Sequence, residues 1–423
     1  MAIINKIKSK KSLFESILSL SVLNAINVLL PLATLPYLLR VIGADNFGIY
    51  SFIYVIIQYL LLITSYGFNY TATKEVALNR NNNEFLNQLF TNVFIIRLVL
   101  LLFCLIIVLL ASPLLFKSEG YFILFIFGLG IVIGDILNPV WLFQGMEKMR
   151  YVTIVNFVSR IIFTALIFIF IKKSSDYKYI LLINSIGYLI SGLISTYIAK
   201  KQFHTFFIKP NFIDLKIQMK NGFSLFASTI GTNLYSNANV FILSFFVSNY
   251  YVGVYAAAEK VIKGLQSLTS PITQALFPHI GHSLKDISIQ KRVLIIKKIS
   301  LYSVISLIIP CIFVFIWSDK IVEIIAGKNF TESIILVKIM SPVILIGTLN
   351  FILGVVGLVN LNYQDTFFVA VMIAGIISVL VLVLSVNFLG VLAGALSVLI
   401  SEFVLLLICL NKYRLILKME YNK

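Results

Sequence analysis

Eight ionisable residues sit inside long apolar runs of this chain: Arg97, Asp135, Arg160, Glu259, Lys260, Lys263, Lys338 and Glu402. A charge at membrane depth is costly unless it faces water or a partner, so chemistry is sought first at these positions. The densest group is AAAEKVIKG, where Glu259 and Lys263 stand at i, i+4 in the order that favours an ion pair. Lys260 and Lys263, at i, i+3, share nearly one helix face, and a Glu259–Lys263 pair leaves Lys260 uncompensated within its own helix. Five of the eight are basic and three acidic. A net positive interior favours an anionic ligand such as a phosphate, a pyrophosphate or an acidic sugar. Arg97, Arg160, Lys338 and Glu402 lie near run ends, where snorkelling or a helix-pinning pair is the plainer reading. Asp135 lies mid-run beside Gly134, where Arg97, Arg160 or a lysine is a candidate partner.

The sequence offers no catalytic centre. It lacks a Gly-x-x-x-x-Gly-Lys-Ser/Thr phosphate loop, which argues against ATP hydrolysis. His204, His279 and His282 fall at helix ends, and the His279/His282 spacing alone is no metal site. Cys104, Cys311 and Cys409 lie inside apolar runs, where a buried thiol behaves as a small hydrophobe, so neither a disulfide framework nor a metal cluster is expected. We expect no cofactor, no metal and no enzymatic reaction.

The elements that must carry these charges are membrane helices. The chain has 423 residues, of which 60% are hydrophobic and 12% charged, with a mean hydropathy of +0.99. A soluble domain carries about 25% charged residues, so a water-soluble globular protein is excluded. Apolar runs long enough to span occur at about 13–41, 47–70, 87–115, 121–146, 150–171, 178–199, 222–247, 251–277, 299–318, 333–359, 366–388 and 390–411. In lipid, at this apolarity, only helices satisfy their own backbone, so the fold class is an all-α integral membrane protein with about twelve transmembrane helices. The loops fall into two alternating sets carrying 22 and 7 basic residues. The richer set includes both termini and places them in the cytoplasm. The formal charge of +17 therefore reports topology, and nucleic acid is not an expected partner. The longest polar interruption, 200–220, reads as a linker between halves 1–205 and 206–423.

A shift of 205 residues reveals a weak internal repeat. Gly48-Ile49-Tyr50 falls on Gly253-Val254-Tyr255, each opening the second helix of its half. Asn24, Asn27, Pro31 and Thr34, on one helical face, fall on Thr229, Thr232, Ser236 and Asn239. Any single member of such a stripe is as readily explained by a hydrogen bond to a neighbouring helix. Two stripes in register favour the walls of a water-filled lumen, to which Pro31 and Pro36 would lend a bend. Glu259 and Lys263 fall on Tyr54 and Gln58, so equivalent positions are polar in one half and charged in the other.

Several segments together resemble bacterial polysaccharide repeat-unit flippases of the Wzx type. They are NPVWLFQGMEKMRYV (Asn138 to Val152), LPYLLRVIGADNFGIYSF (Leu35 to Phe52) and LFPHIGHSL (Leu276 to Leu284). That family belongs to the multidrug/oligosaccharidyl-lipid/polysaccharide exporter superfamily. The resemblance implies two six-helix bundles around a central cavity in the bacterial inner membrane, and no catalysis. It implies an undecaprenyl-pyrophosphate-linked oligosaccharide as substrate, moved from the cytoplasmic to the periplasmic leaflet for O-antigen or capsule assembly by alternating access. The lipid bilayer, a polysaccharide polymerase and a chain-length regulator are the partners it implies. The related lipid II flippases carry Asp-Arg-x-x-Glu at the position matching Glu259-Lys260-x-x-Lys263, where the final acid is replaced here by Lys263. The substrate-facing candidates are Lys260, Lys263, Glu259, Asp135, Arg97, Asn27, Thr232 and Asn239. A drug or metabolite antiporter of the same superfamily is the alternative, although cationic drugs call for an acidic cavity. A membrane glycosyltransferase would need larger outer loops than this chain has.

The lumen assignment predicts that cysteines placed at Asn27 and Thr232 react with a water-soluble thiol reagent in intact membranes. Absence of labelling at both sites would remove the shared lumen.

Overall fold

A computed structural model describes residues 2–269 and 288–421; the side chains of 2–29, 31, 32, 224, 225, 227–236 and 419–421 fall outside that description. Asn24, Asn27, Pro31, Thr229, Thr232 and Ser236 of the polar stripes therefore lie outside the described residues, as does LFPHIGHSL with His279 and His282. Each apolar run carries a helix. In chain order these are α1 (Ala2–Ser65), α2 (Phe68–Leu78), α3 (Asn83–Leu110), α4 (Ser112–Leu115), α5 (Glu119–Ile136), α6 (Val140–Gly145), α7 (Met149–Phe170) and α8 (Lys178–Phe203). They continue as α9 (Phe212–Phe246), α10 (Asn249–Ser267), α11 (Ile289–Ile316), α12 (Ser318–Ile325), α13 (Ser333–Asn350), α14 (Gln364–Leu389) and α15 (Leu392–Tyr421). No strand occurs among the described residues.

Helix α1 is two helices joined at Gly43, whose φ of 73° and ψ of 175° are out of reach of an unstrained L side chain. The chain turns back into a helix at once, which is why the expected boundary at residues 41–47 has no loop. Among the described residues, nine helical stretches are long and apolar enough to cross a membrane, the first being Ala33–Leu78 across the Gly43 break. Helix α10 is not one of them because Glu259, Lys260 and Lys263 fall within its 19 residues. Outward faces are apolar, as at Leu102, Phe103, Ile106 and Leu110 of α3, the arrangement lipid requires. The protein is an all-α, multi-pass membrane protein.

The chain forms two compact units: residues 1–34 with 53–230, and residues 35–52 with 231–423. In the first unit, the segment Asn138 to Val152 is a packing device. Trp141, Leu142, Phe143, Met149 and Val152 are buried with Phe68, Val76 and Leu89 of α2 and α3. Glu147 takes a left-handed φ of 56° and pairs with Arg80 at 2.5 Å, closing the bend between α6 and α7. Helices α5 and α8 touch backbone to backbone: a Cβ on Gly134 would lie 2.3 Å from the Tyr188 carbonyl carbon, and one on Gly192 would lie 2.3 Å from the Gly134 carbonyl oxygen. Such small-residue contacts are a principal means of helix association in lipid.

The second unit contains the repeat in three dimensions. A Cβ on Gly48 would lie 1.9 Å from the Asn249 carbonyl oxygen, and a Cβ on Gly253 would lie 1.9 Å from that of Ala44. Ala44 and Asn249 are themselves 205 residues apart, so the contact repeats reciprocally, as at a local two-fold axis. Beyond α13 the chain widens into a π-helix, Phe351–Val359. The buried Tyr413 hydroxyl of α15 donates to the Leu353 carbonyl at 2.9 Å within it.

Gly48→Ala and Gly253→Ala are each expected to destabilise the protein by about 1–3 kcal/mol through overpacking. Because both break one crossing, the double variant should lose less than the sum. Melting of the detergent-purified protein checks this, and wild-type melting of both single variants would show the crossing to be dispensable.

Candidate functional site

Helix α10 leaves the glycine crossing with its residues two turns apart stacked on one face. Lys260 lies seven residues beyond Gly253 and so faces the same way, toward the segment 35–52 that Gly253 touches. Its side chain slants back toward the helix N-terminus, as helical side chains do. The ammonium Nζ lies 5.0 Å from the ring centroid of Phe47 and 5.3 Å from that of Tyr50. Phe47 and Tyr50 flank Gly48, so the close approach of the backbones brings the rings to the lysine. Two ring faces thus help to stabilise the Lys260 charge.

Glu259 and Lys263 form the ion pair their spacing predicts, at 3.1 Å. Glu259 is buried and the Lys263 side chain is 49% exposed. The pair therefore anchors a buried carboxylate with a lysine whose other side remains open. The three charges make a site with two ammonium groups and one carboxylate, with net charge +1, walled on one side by aromatic rings.

Asn239 sits inside the second unit. It is buried, and its Nδ2 donates to the Tyr255 hydroxyl at 3.0 Å, to Ser397 Oγ at 3.0 Å and to the Gly394 carbonyl at 3.3 Å. Its partner in the repeat, Thr34, is also buried, and donates to the Leu30 carbonyl at 3.3 Å. Asn239 thus bonds to neighbouring helices, as helix-packing residues do, while Thr34 bonds back to its own helix.

In the first unit, Arg97 is a clamp. Its Nε donates to the Thr64 carbonyl at 3.1 Å, one terminal nitrogen donates to the Asp135 carbonyl at 3.0 Å, and the other pairs with the Asp135 carboxylate. One guanidinium ties the end of α1 and the last turn of α5 to α3, which neither snorkelling nor an open binding role would require. The Asp135 side chain is 35% exposed and also lines a cavity with Arg160, Asn156, Asn184 and Tyr188. Arg160 Cζ lies 5.9 Å from the Tyr188 ring centroid. Glu402 accepts from Asn350 Nδ2 at 2.6 Å, a pairing inside the second unit. Among the described residues, no group of three or more His, Cys, Asp and Glu could hold a metal ion.

Sequence reasoning missed the rings at Lys260, since nothing in the spacing of Phe47 or Tyr50 marks them as its neighbours. It also missed the polar residues of α7 and α8 that accompany Asp135. The one signal available was the density of Asn and Ser, at Asn156, Ser159, Asn184 and Ser191, in two otherwise apolar runs.

Comparison with known proteins places these features in context. Residues 13–284 match the family described as polysaccharide biosynthesis protein. The chain is 30% identical, over 374 residues, to an Escherichia coli K12 protein that carries the provisional name O-antigen transporter, covering 88% of this chain and 90% of that one. A solved structure of the lipid II flippase MurJ in an inward closed conformation superposes with a TM-score of 0.74 at 12% identity, covering 95% of this chain and 87% of that one. An inward-facing multidrug resistance MATE family transporter of the MOP superfamily gives 0.65 at 13% identity, covering 96% and 99%. The two structures share the fold.

Arg97→Gln is expected to cost about 3–5 kcal/mol by leaving Asp135 and two carbonyls without their partner. Arg160→Gln, which breaks no ion pair among the described residues, should melt close to wild type. Equal melting temperatures for Arg97→Gln and wild type would contradict the clamp.

Proposed function

The chain belongs to the polysaccharide biosynthesis protein family, and from that premise we propose that it is a flippase for a lipid-linked oligosaccharide in the bacterial cytoplasmic membrane. Its substrate in this reading is an undecaprenyl-pyrophosphate-linked repeat unit, carried from the cytoplasmic to the periplasmic leaflet. The observation that carries the proposal is the braced ammonium of Lys260 beside the Glu259–Lys263 pair.

The chemistry follows from those three charges. Ring faces stabilise an ammonium, so Lys260 holds a positive charge at the position where a phosphate oxygen would bond it. Lys263 supplies a second cation one turn away. Glu259 limits the net attraction, which a carrier needs because binding must be weak enough to release on the far side. An anion of two phosphates matches two ammonium groups, and neutral sugars need only the polar surroundings. Transport in this proposal is alternating access by halves 1–205 and 206–423, each a six-helix bundle of a twelve-span arrangement with both termini cytoplasmic. The provisional name of the Escherichia coli relative supports the substrate class, and the fold shared with MurJ supports the mechanism. A polysaccharide polymerase and a chain-length regulator would act on the delivered unit.

The test is the sidedness of the lipid-linked oligosaccharide in right-side-out vesicles, read with a membrane-impermeant sugar-labelling reagent. Labelling should vanish in a strain lacking the protein, return with wild type, and stay at least about tenfold lower with Lys260→Ala/Lys263→Ala at normal protein levels, equivalent to about 1.4 kcal/mol. Labelling that survives deletion, with no redundant transporter, would turn the reading toward drug or metabolite export.

A further inference from the structure

The first unit holds a half-open cavity of about 230 Å³ lined by α5, α7 and α8 and by the bend at Asn138 and Val140. Pockets for drug-sized ligands run to roughly 300–1,000 Å³, so this one suits a single ring and excludes a whole repeat unit. Its origin lies in the packing. Gly134 and Gly192 hold α5 and α8 in backbone contact, while α7 presents Asn156, Ser159 and Arg160 toward the cavity.

The lining is mixed, with close to half of its surface polar, where a lipid-filled or empty cavity would be apolar throughout. Asn184 is 8% exposed and Ser159 7% exposed, and neither side chain hydrogen-bonds to any described residue. Arg160 forms no ion pair with any described residue; its guanidinium lies over the Tyr188 ring and within electrostatic reach of Tyr54. Asp135, by contrast, is already neutralised by Arg97. The cavity therefore holds a cation outside any ion pair and the unbonded Asn184 amide, beside Asn156, whose Oδ1 accepts from Ser191 Oγ at 3.1 Å, and aromatic surface from Tyr188 and Phe163. A fixed guanidinium calls for an oxyanion. Amides and hydroxyls, which both donate and accept, match ring hydroxyls, and aromatic faces match the C–H faces of a sugar.

We propose that this cavity binds one acidic sugar residue, its carboxylate on Arg160 and its hydroxyls on Asn184 and the Asn156 Nδ2. The inference rests on the flippase reading for the source of that sugar, a residue of the transported glycan. It adds a sugar subsite in the first unit to the cationic locus on α10.

Gly187 provides the probe. It lines the cavity, and a Cβ there would sit 3.6 Å from the Ser159 carbonyl oxygen and 3.8 Å from Phe163 Cβ, ordinary contacts that Gly187→Cys should tolerate. With Cys104, Cys311 and Cys409 replaced by alanine in the full chain, maleimide labelling of Gly187→Cys is timed in detergent with glucuronate, glucose or inorganic pyrophosphate. Glucuronate at twice its dissociation constant should slow labelling about threefold by mass action. Glucose should slow it less and pyrophosphate not at all. Arg160→Gln should remove the protection by glucuronate without changing the rate in its absence.

A thiol unreactive without sugar would show that the cavity is closed, and lack of glucuronate protection would show that it is not an acidic-sugar site. Equal protection by glucose, indifferent to Arg160→Gln, would also overturn the proposal. So would strongest protection by pyrophosphate, which would assign the cavity to the lipid phosphates. Binding is read here without transport, so the two readings fail separately. Flipping without protection removes only the subsite, and protection without flipping removes only the flippase.

Discussion

Where Gly48 meets Gly253, two helix backbones touch with no side chain between them, and the arrangement of the charged residues in the second unit depends on that contact. The reciprocity of the approach, Gly48 on Asn249 and Gly253 on Ala44, gives the crossing a local two-fold character. Lipid tails supply no hydrophobic force to press helices together, so close van der Waals contact between small residues is a principal means of holding such a crossing. With the backbones this near, Phe47 and Tyr50 on one strand of the crossing reach the lysine two turns along the other. A larger residue at either glycine would move the rings away from Lys260 and take two aromatic faces from a charge in the helix that also carries Glu259 and Lys263.

The first unit solves the burial of charge differently. Arg97 spends its guanidinium on two carbonyls and one carboxylate, so a cation inside the membrane becomes a brace for three helices. Arg160, two helices away in sequence, has no such partners and stays available. The contrast between a saturated arginine and an unsaturated one separates packing from recognition more clearly than depth in the membrane does. The same distinction applies to amides, since Asn239 is tied into α10 and α15 whereas Asn184 is not.

The segment Asn138 to Val152, which carries much of the family resemblance, is chiefly a packing device, with Asn138, Val140 and Val152 also lining the cavity at Arg160. Its aromatic residues fill the core beside α2 and α3, and Glu147 closes a bend against Arg80. A motif that identifies a family can therefore mark chiefly how the chain folds back on itself.

Much of this was legible in the residues alone because it depends on composition or on spacing within one helix. Hydropathy set the membrane class, the periodic apolar runs located the helices, and the i, i+4 order of Glu259 and Lys263 foretold their pair. The repeat of Gly48-Ile49-Tyr50 with Gly253-Val254-Tyr255 was visible as a register, though not that its two copies touch. Tertiary structure decided the contacts between helices: the rings at Lys260, the three anchors of Arg97, the clasp around Asn239 and the cavity at Arg160. The physical reason is range. Helix geometry dictates which residues share a face within one element, whereas the neighbour that face meets is settled by backbone approach and packing among segments far apart in the chain, and local spacing carries no record of those.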